Sequence, residues 1–149
     1  MKRTVIILFA ALLSSLLFAQ NENQEKEKEA IKEVIKTAYI DGIFNKGDID
    51  AIKKGWYYDC DIMIQLKNKG SCYKNPAYSF VKLYEKGIPA IKPGTTHKIP
   101  FIHVTGTAAM AIVEVYHKDQ QQYTDYMNLY KFKEGWKIVT KSYYEHKEG

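Results

Sequence analysis

The sequence predicts an α+β fold, with three N-terminal helices packed on one face of a strongly curved, mixed or antiparallel β-sheet. Two observations carry this. Apolar residues recur with helical spacing in the first half, and from about residue 97 they change to period two and stay there. The period-two part is divided by three short turn signals, "TGT", "KDQQ" and "KEG", into strands at about 97–105, 107–117, 122–133 and 136–145. Helices first and a four-stranded meander last is an order that segregates helices to one side of a sheet.

Each element has a local cause. Lys2 and Arg3 precede an apolar run from Val5 to Phe18 that ends at Ala19, so residues 1–19 read as a secretory signal peptide. Residues 20–26 are polar and read as a linker, leaving 27–147 as one domain. From Glu27, Ile31, Val34, Ile35, Ala38 and Tyr39 form one buried stripe of an amphipathic helix that gives out near Asp41-Gly42 or soon after. Asp48 caps a second short helix with Ile49, Ile52 and Trp56 inward. "DIMIQLK" is a strand with Ile62, Ile64 and Leu66 on one face, and it returns through Asn68-Lys69-Gly70. Asn75 is placed to cap a third helix from Pro76 to Gly87, with Tyr78 or Phe80, Val81 and Tyr84 inward. The glycines at 42, 47 and 55 are expected at helix C-termini.

The clearest hairpin is "DYMNLYKFKEGWKIVTK" (125–141), and it is apolar on both sides. Met127 and Leu129 mark one face; Tyr126, Tyr130 and Phe132 mark the other, where a one-sided sheet would be polar. One face closes on the helices. The second predicts a self-complementary interface, hence a homodimer through the sheet face.

Composition narrows the function. The formal charge is +5, from which departure of Lys2 and Arg3 leaves +3, and the lysines alternate with acids rather than forming a stripe. Nucleic-acid binding is disfavoured. A cleaved leader predicts a periplasmic or secreted protein without a stable membrane anchor. Cys60 and Cys72 are expected as unbridged thiols, since hairpin counting separates them by about 17 Å along the strands, against the roughly 7 Å a disulfide allows. His97, His103, His117 and His146 have no metal-ligand spacing, and no glycine-rich phosphate loop is present. No metal and no cofactor are expected.

Counting residues across the turns suggests a polar row. Centring the turns near Gly106, Asp119/Gln120 and Glu134 pairs His97 with Val115, Val115 with Asp125, and Asp125 with Tyr143, with Met127 and Lys141 in the next row. His97, Asp125, Lys141 and Tyr143 then become polar fittings of one cavity. In a low-dielectric pocket, Asp125 is the candidate acid or base; alternatively it forms a salt bridge to Lys141. Trp56 and Tyr57, just before the first strand, are candidate ligand contacts at the cavity edge.

"AYIDGIFNKGDIDAIKKGWYYDCDIMI" and "YTDYMNLYKFKEGWKIVTKSYY" resemble the putative lumazine-binding family of the NTF2-like (SnoaL-like) superfamily, over about residues 27–145. The resemblance implies a cone of three helices wrapped by a bent sheet. That superfamily includes isomerases, dehydratases, cyclases and binding modules, so the resemblance alone does not select a chemistry. Trp56-Tyr57-Tyr58-Asp59 stands where relatives often carry a His-Pro segment, which weakens catalysis by analogy: a tyrosine with pKa near 10 is a poor general base. The leading expectation is an exported homodimer holding a small apolar or aromatic ligand through Trp56, Tyr57, His97, Asp125, Lys141 and Tyr143. The alternatives are an acid/base enzyme of isomerase or dehydratase type using Asp125, and a non-catalytic interaction module with a filled cone.

Overall fold

Helix α1 is already formed at residue 22, inside the segment expected as a polar linker. The polar residues at and just beyond that segment's end do specific work. Glu27 accepts hydrogen bonds from Lys131 Nζ (2.5 Å) and Trp136 Nε1 (2.6 Å), which tie the helix start to the 125–141 hairpin. Exposed i,i+3 pairs, Glu25 with Lys28 and Glu29 with Lys32, support the same turns. The computed structural model describes residues 22–59, 62–67 and 71–146. The leader, Cys60 and the Cys72 side chain lie outside that description, and with them the expectations of export and free thiols.

α1 runs past Gly42 and stops soon after, at Lys46. It is α-helical over 22–34 and continues as a π-helix over Ile35–Lys46. Wider π turns take up more residues each, and here they bring Ile40 and Phe44 into the core beside Ala38, Tyr39 and Ile43. The helix ends at Gly47, whose φ of 65° is the left-handed cap conformation. Gly55 ends α2 as expected, whereas Gly42 lies inside α1, and both glycines have a packing role. A Cβ on Gly42 would lie 3.0 Å from Ile52 Cγ1, and one on Gly55 would lie 2.2 Å from Ala38 Cβ. They let α2 (Ile49–Gly55) lie directly on α1. Asp48 caps α2 as expected, accepting from the Ala51 N–H at 3.0 Å. Helix α3 spans Tyr78–Glu85. Asn75 is not its cap: residues up to Pro76 remain in a strand, and Asn75 Oδ1 instead accepts from the Ser79 hydroxyl at 2.9 Å.

The sheet has six strands: β1 (Ile62–Lys67), β2 (Ser71–Pro76), β3 (Thr95–Thr105), β4 (Ala108–His117), β5 (Gln120–Phe132) and β6 (Gly135–Glu145). Their spatial order is β2-β1-β6-β5-β4-β3. All neighbours are antiparallel except β1 and β6, which run parallel. β3 is an edge strand, and its pairing is interrupted by a bulge between Lys98 and Phe101, around Pro100. The β4–β5 turn places Lys118 (φ 50°) and Asp119 (φ 64°) in the left-handed region, the geometry of a tight two-residue hairpin.

The face toward the helices carries Ala111, Val113, Val115, Met127, Leu129 and Ile138, all buried, and with Ile31, Ile35, Ile43 and Ile52 they form the core. The opposite face carries Phe101, Met110, Tyr126, Tyr130 and Tyr144, all exposed. The two-sided character of the 125–141 hairpin is therefore real, and the described residues cover only one side.

Candidate functional site

The site is set by strand parity. Asp125 stands opposite Tyr143 and Met127 opposite Lys141, so Asp125 and Lys141 are diagonal neighbours on the inner face. Their side chains are 0% and 3% exposed, and Lys141 Nζ lies 2.6 Å from Asp125 Oδ1. Aromatic residues aside, Thr95, Asp125 and Lys141 are the buried polar side chains among the described residues. The Asp125 Oδ2 atom has no hydrogen-bond partner among them. Tyr39 on α1 faces the carboxylate closely enough to oppose its protonation, without reaching the geometry of a full hydrogen bond to Oδ2.

Three tyrosine rings surround the ammonium. Their centroids lie 4.0 Å (Tyr143), 4.9 Å (Tyr39) and 6.0 Å (Tyr123) from Nζ. The negative faces of aromatic rings attract a cation, most strongly where water is excluded. Tyr123 and Tyr143 meet edge to face at 5.6 Å, and Phe44 stacks near Tyr123 at 6.2 Å. Beside this cage lies a cavity of about 130 Å³, walled by Tyr39, Phe44, Phe80, Tyr123 and Tyr143 among others. Lys141, rather than Asp125, borders it.

Burial dominates the electrostatics. It pushes the Asp125 carboxyl above the usual carboxylate range, while the Lys141 charge and hydrogen bond pull the other way. Burial pushes the Lys141 ammonium below the usual lysine value, and Asp125 opposes that. Burial, reinforced by the Asp125 charge, raises Tyr39 well above the ordinary phenol value, so Tyr39 is a neutral donor. Both members of the ion pair are thus driven toward their neutral forms, and the short contact between them is a route for one proton.

The sequence-based row comes together in part. Asp125, Lys141 and Tyr143 meet on the inner face as counted. The counted pair Val115–Asp125 is corrected: Val115 faces Tyr123 and Asp125 faces Val113. The β4–β5 turn is centred on Lys118-Asp119, and a bulge between Val115 and Tyr116 shifts the register by one residue; together they move the counted partner by two and preserve the face. His97 does stand opposite Val115 but is not part of the site. It lies in a polar recess with Glu33 and Lys36 against the outer side of α1, where burial lowers its pKa and the nearby Asp41 resists.

Trp56 and Tyr57 point to opposite sides of the chain. Trp56 is 3% exposed, packs edge-on against Tyr39 at 6.1 Å, and belongs to the core; it borders a separate recess with Ile52, Lys53 and Tyr78. Tyr57 stacks on Phe132 at 4.5 Å with the rings 5° from parallel, away from the cage. Tyr84 is held by its hydroxyl, which donates to the Ile43 carbonyl. Tyr123, Phe44 and Met63 were missed. Tyr123 lies two residues before Asp125, so parity alone would have found it. Met63 is reached because β1 pairs in parallel with β6, setting it opposite Lys141; Met63 is buried, whereas Ile64, expected inward, is only half-buried. Phe44 depends on the π winding of α1, which has no signal in apolar periodicity.

Three helices closing one face of a curved open sheet, with an aromatic cavity between them, define an NTF2-like domain. Residues 26–144 match the family described as "Putative lumazine-binding", and the chain belongs to that family. Solved structures agree on the fold. An NTF2-like protein of unknown function from Shewanella baltica OS155 has a TM-score of 0.66 at 22% identity, covering 83% of this chain and 96% of that one. Another, from Silicibacter pomeroyi DSS-3, has a TM-score of 0.66 at 19% identity, covering 83% and 98%. A cystatin-like fold protein from Burkholderia xenovorans LB400 has a TM-score of 0.61 at 11% identity, covering 85% and 97%. No curated protein matches the chain.

Proposed function

We propose that this chain is an exported, non-catalytic member of its family that holds one small, neutral, planar aromatic ligand in the cone cavity. The observation that carries this reading is the cavity itself: about 130 Å³, walled by aromatic rings, with the Lys141 ammonium as its polar handle. That volume is close to the roughly 150 Å³ of a cavity known to accept benzene. A single ring bearing a hydrogen-bond acceptor suits it. The charge of Lys141 is already balanced by Asp125, which favours a neutral ligand over an anion. The acid/base alternative requires Asp125 turned away from Lys141, and the 2.6 Å contact argues against it.

A test uses Ile91, which borders the cavity and is 46% exposed. Ile91→Trp is expected to block the mouth and abolish binding of single-ring aromatics in ligand-observed NMR, with the melting temperature unchanged. Unaltered binding in Ile91→Trp, or no binding to the parent protein, would overturn the reading.

The proposal includes a homodimer through the outer sheet face. Support comes from Phe101, Met110, Tyr126, Tyr130 and Tyr144, five exposed large apolar side chains on adjacent strands, a patch more typical of an interface than of a solvated surface. Native mass spectrometry of the protein purified from its host reports assembly and any retained ligand together. A strict monomer at micromolar concentration would remove the dimer from the proposal and leave the ligand reading untouched.

A further inference from the structure

Among the lysines whose side chains are described, one has surroundings different in kind from the exposed ones. Lys32, Lys46 and Lys53 are 44–64% exposed and meet carboxylates in water. Lys141 is 3% exposed, borders a cavity, is ringed by three tyrosines and has a carboxylate 2.6 Å away. An amine in such a place is suited to more than holding a charge. Lysines become nucleophiles when an apolar pocket disfavours the ammonium and a neighbouring base removes its proton.

We infer that Lys141 captures a small aromatic aldehyde as an imine, with Asp125 carrying the proton. The inference rests on the cavity being a ligand site and names the chemistry its polar handle would perform. Asp125 takes one proton from the ammonium and frees the Nζ lone pair. Nζ bonds to the carbonyl carbon as the C=O π bond opens onto oxygen, and one nitrogen proton moves to that oxygen, forming a carbinolamine. Asp125 then returns its proton as the C–O bond breaks and water leaves. The product is a protonated imine beside the Asp125 carboxylate, so the pair keeps the charges it began with. No electrons are gained or lost, and no metal or cofactor is required. The tyrosine faces that hold the ammonium are equally suited to the iminium cation. The cavity has room for one ring, which selects benzaldehyde-like compounds over bicyclic or long-chain aldehydes.

The experiment uses the unmodified protein, benzaldehyde and sodium cyanoborohydride, with the modified lysine located by peptide mapping. Lys141 is expected to carry the benzyl group about a hundredfold sooner than Lys32 or Lys46, the lower range of what a positioned proton carrier contributes. Asp125→Asn is expected to remove that preference; benzamide, which has the ring and the carbonyl but does not form an imine, reports binding to the parent protein. Because the site is mapped on the parent protein, the result does not depend on that variant folding. Labelling at exposed lysines with Lys141 spared overturns the inference. If benzamide binds in the cavity while Lys141 is spared, imine formation is refuted and the ligand reading stands. If benzamide does not bind either, both fall.

Discussion

Removing one member of the Asp125–Lys141 pair should damage the fold far more than removing both. At 2.6 Å, two unit charges attract by about 6 kcal/mol at an effective dielectric of about 20. Withdrawing two ions from water costs several kcal/mol each, so the intact pair is close to neutral for stability. A lone buried charge keeps the cost without the return. Lys141→Met and Asp125→Asn are each expected to lose about 3–5 kcal/mol in urea unfolding, followed by the fluorescence of the buried Trp56 and Trp136. The double variant Asp125→Leu/Lys141→Met should come back to within about 1 kcal/mol of the parent, because well-packed apolar replacements of buried pairs are often neutral or better. The single variants should also differ in pH response. In Lys141→Met, Asp125 has a folded pKa above its unfolded 3.8, so the native state holds a proton the unfolded chain has released, and stability falls as pH rises from about 4 through the folded value. In Asp125→Asn, Lys141 has a folded pKa below its unfolded 10.5. Here the unfolded chain holds the extra proton, and stability rises with pH across the window ending near 10.5. Single variants costing less than about 1 kcal/mol, or a double variant as damaged as the two singles added, would refute this account.

Two further substitutions test how the scaffold holds the site. Gly55→Ala forces a Cβ to within 2.2 Å of Ala38 Cβ; it should cost about 1–3 kcal/mol by overpacking, and Ala38→Gly should recover part of that loss in thermal melts. Glu27→Ala removes the acceptor shared by Lys131 and Trp136 and should cost about 1–2 kcal/mol, since one partner is substantially exposed. Those hydrogen bonds hold Glu27 below the usual carboxylate range, so the parent protein gains this stability above pH 4.5 and loses it as pH falls through the folded value, a slope that Glu27→Ala should lack.

Most of the scaffold could be read from local chemistry. Asp48 caps α2, the turn residues around 106, 118–119 and 135 divide the meander, and period-two alternation assigns Met127 and Leu129 inward. Parity also placed Asp125, Lys141 and Tyr143 together, because a hairpin centre at Glu134 gives the register that holds beyond the bulge between Asn128 and Leu129. What escaped depended on long-range geometry. His97 has the right parity but lies on an edge strand, where the outer side of α1 draws it toward Lys36 and Asp41. Tyr57 was grouped with Trp56 although neighbours along an extended segment face opposite ways. The π winding that turns Phe44 inward needs the sheet beneath it to be worthwhile.

The bulge in β3 has a bearing on how copies of this molecule can meet. An exposed edge strand of eleven residues would ordinarily be a template on which another chain could lengthen the sheet. Pro100 offers no N–H, and the break in pairing between Lys98 and Phe101 bends the strand at the same place, so a continuous ladder cannot form along it. Filament growth by strand addition is thereby discouraged at this border, while the apolar surface of Tyr126 and Tyr130 stays open to a partner that stacks rather than extends. At this border the chain exposes a sticky sheet without also offering a template for fibres.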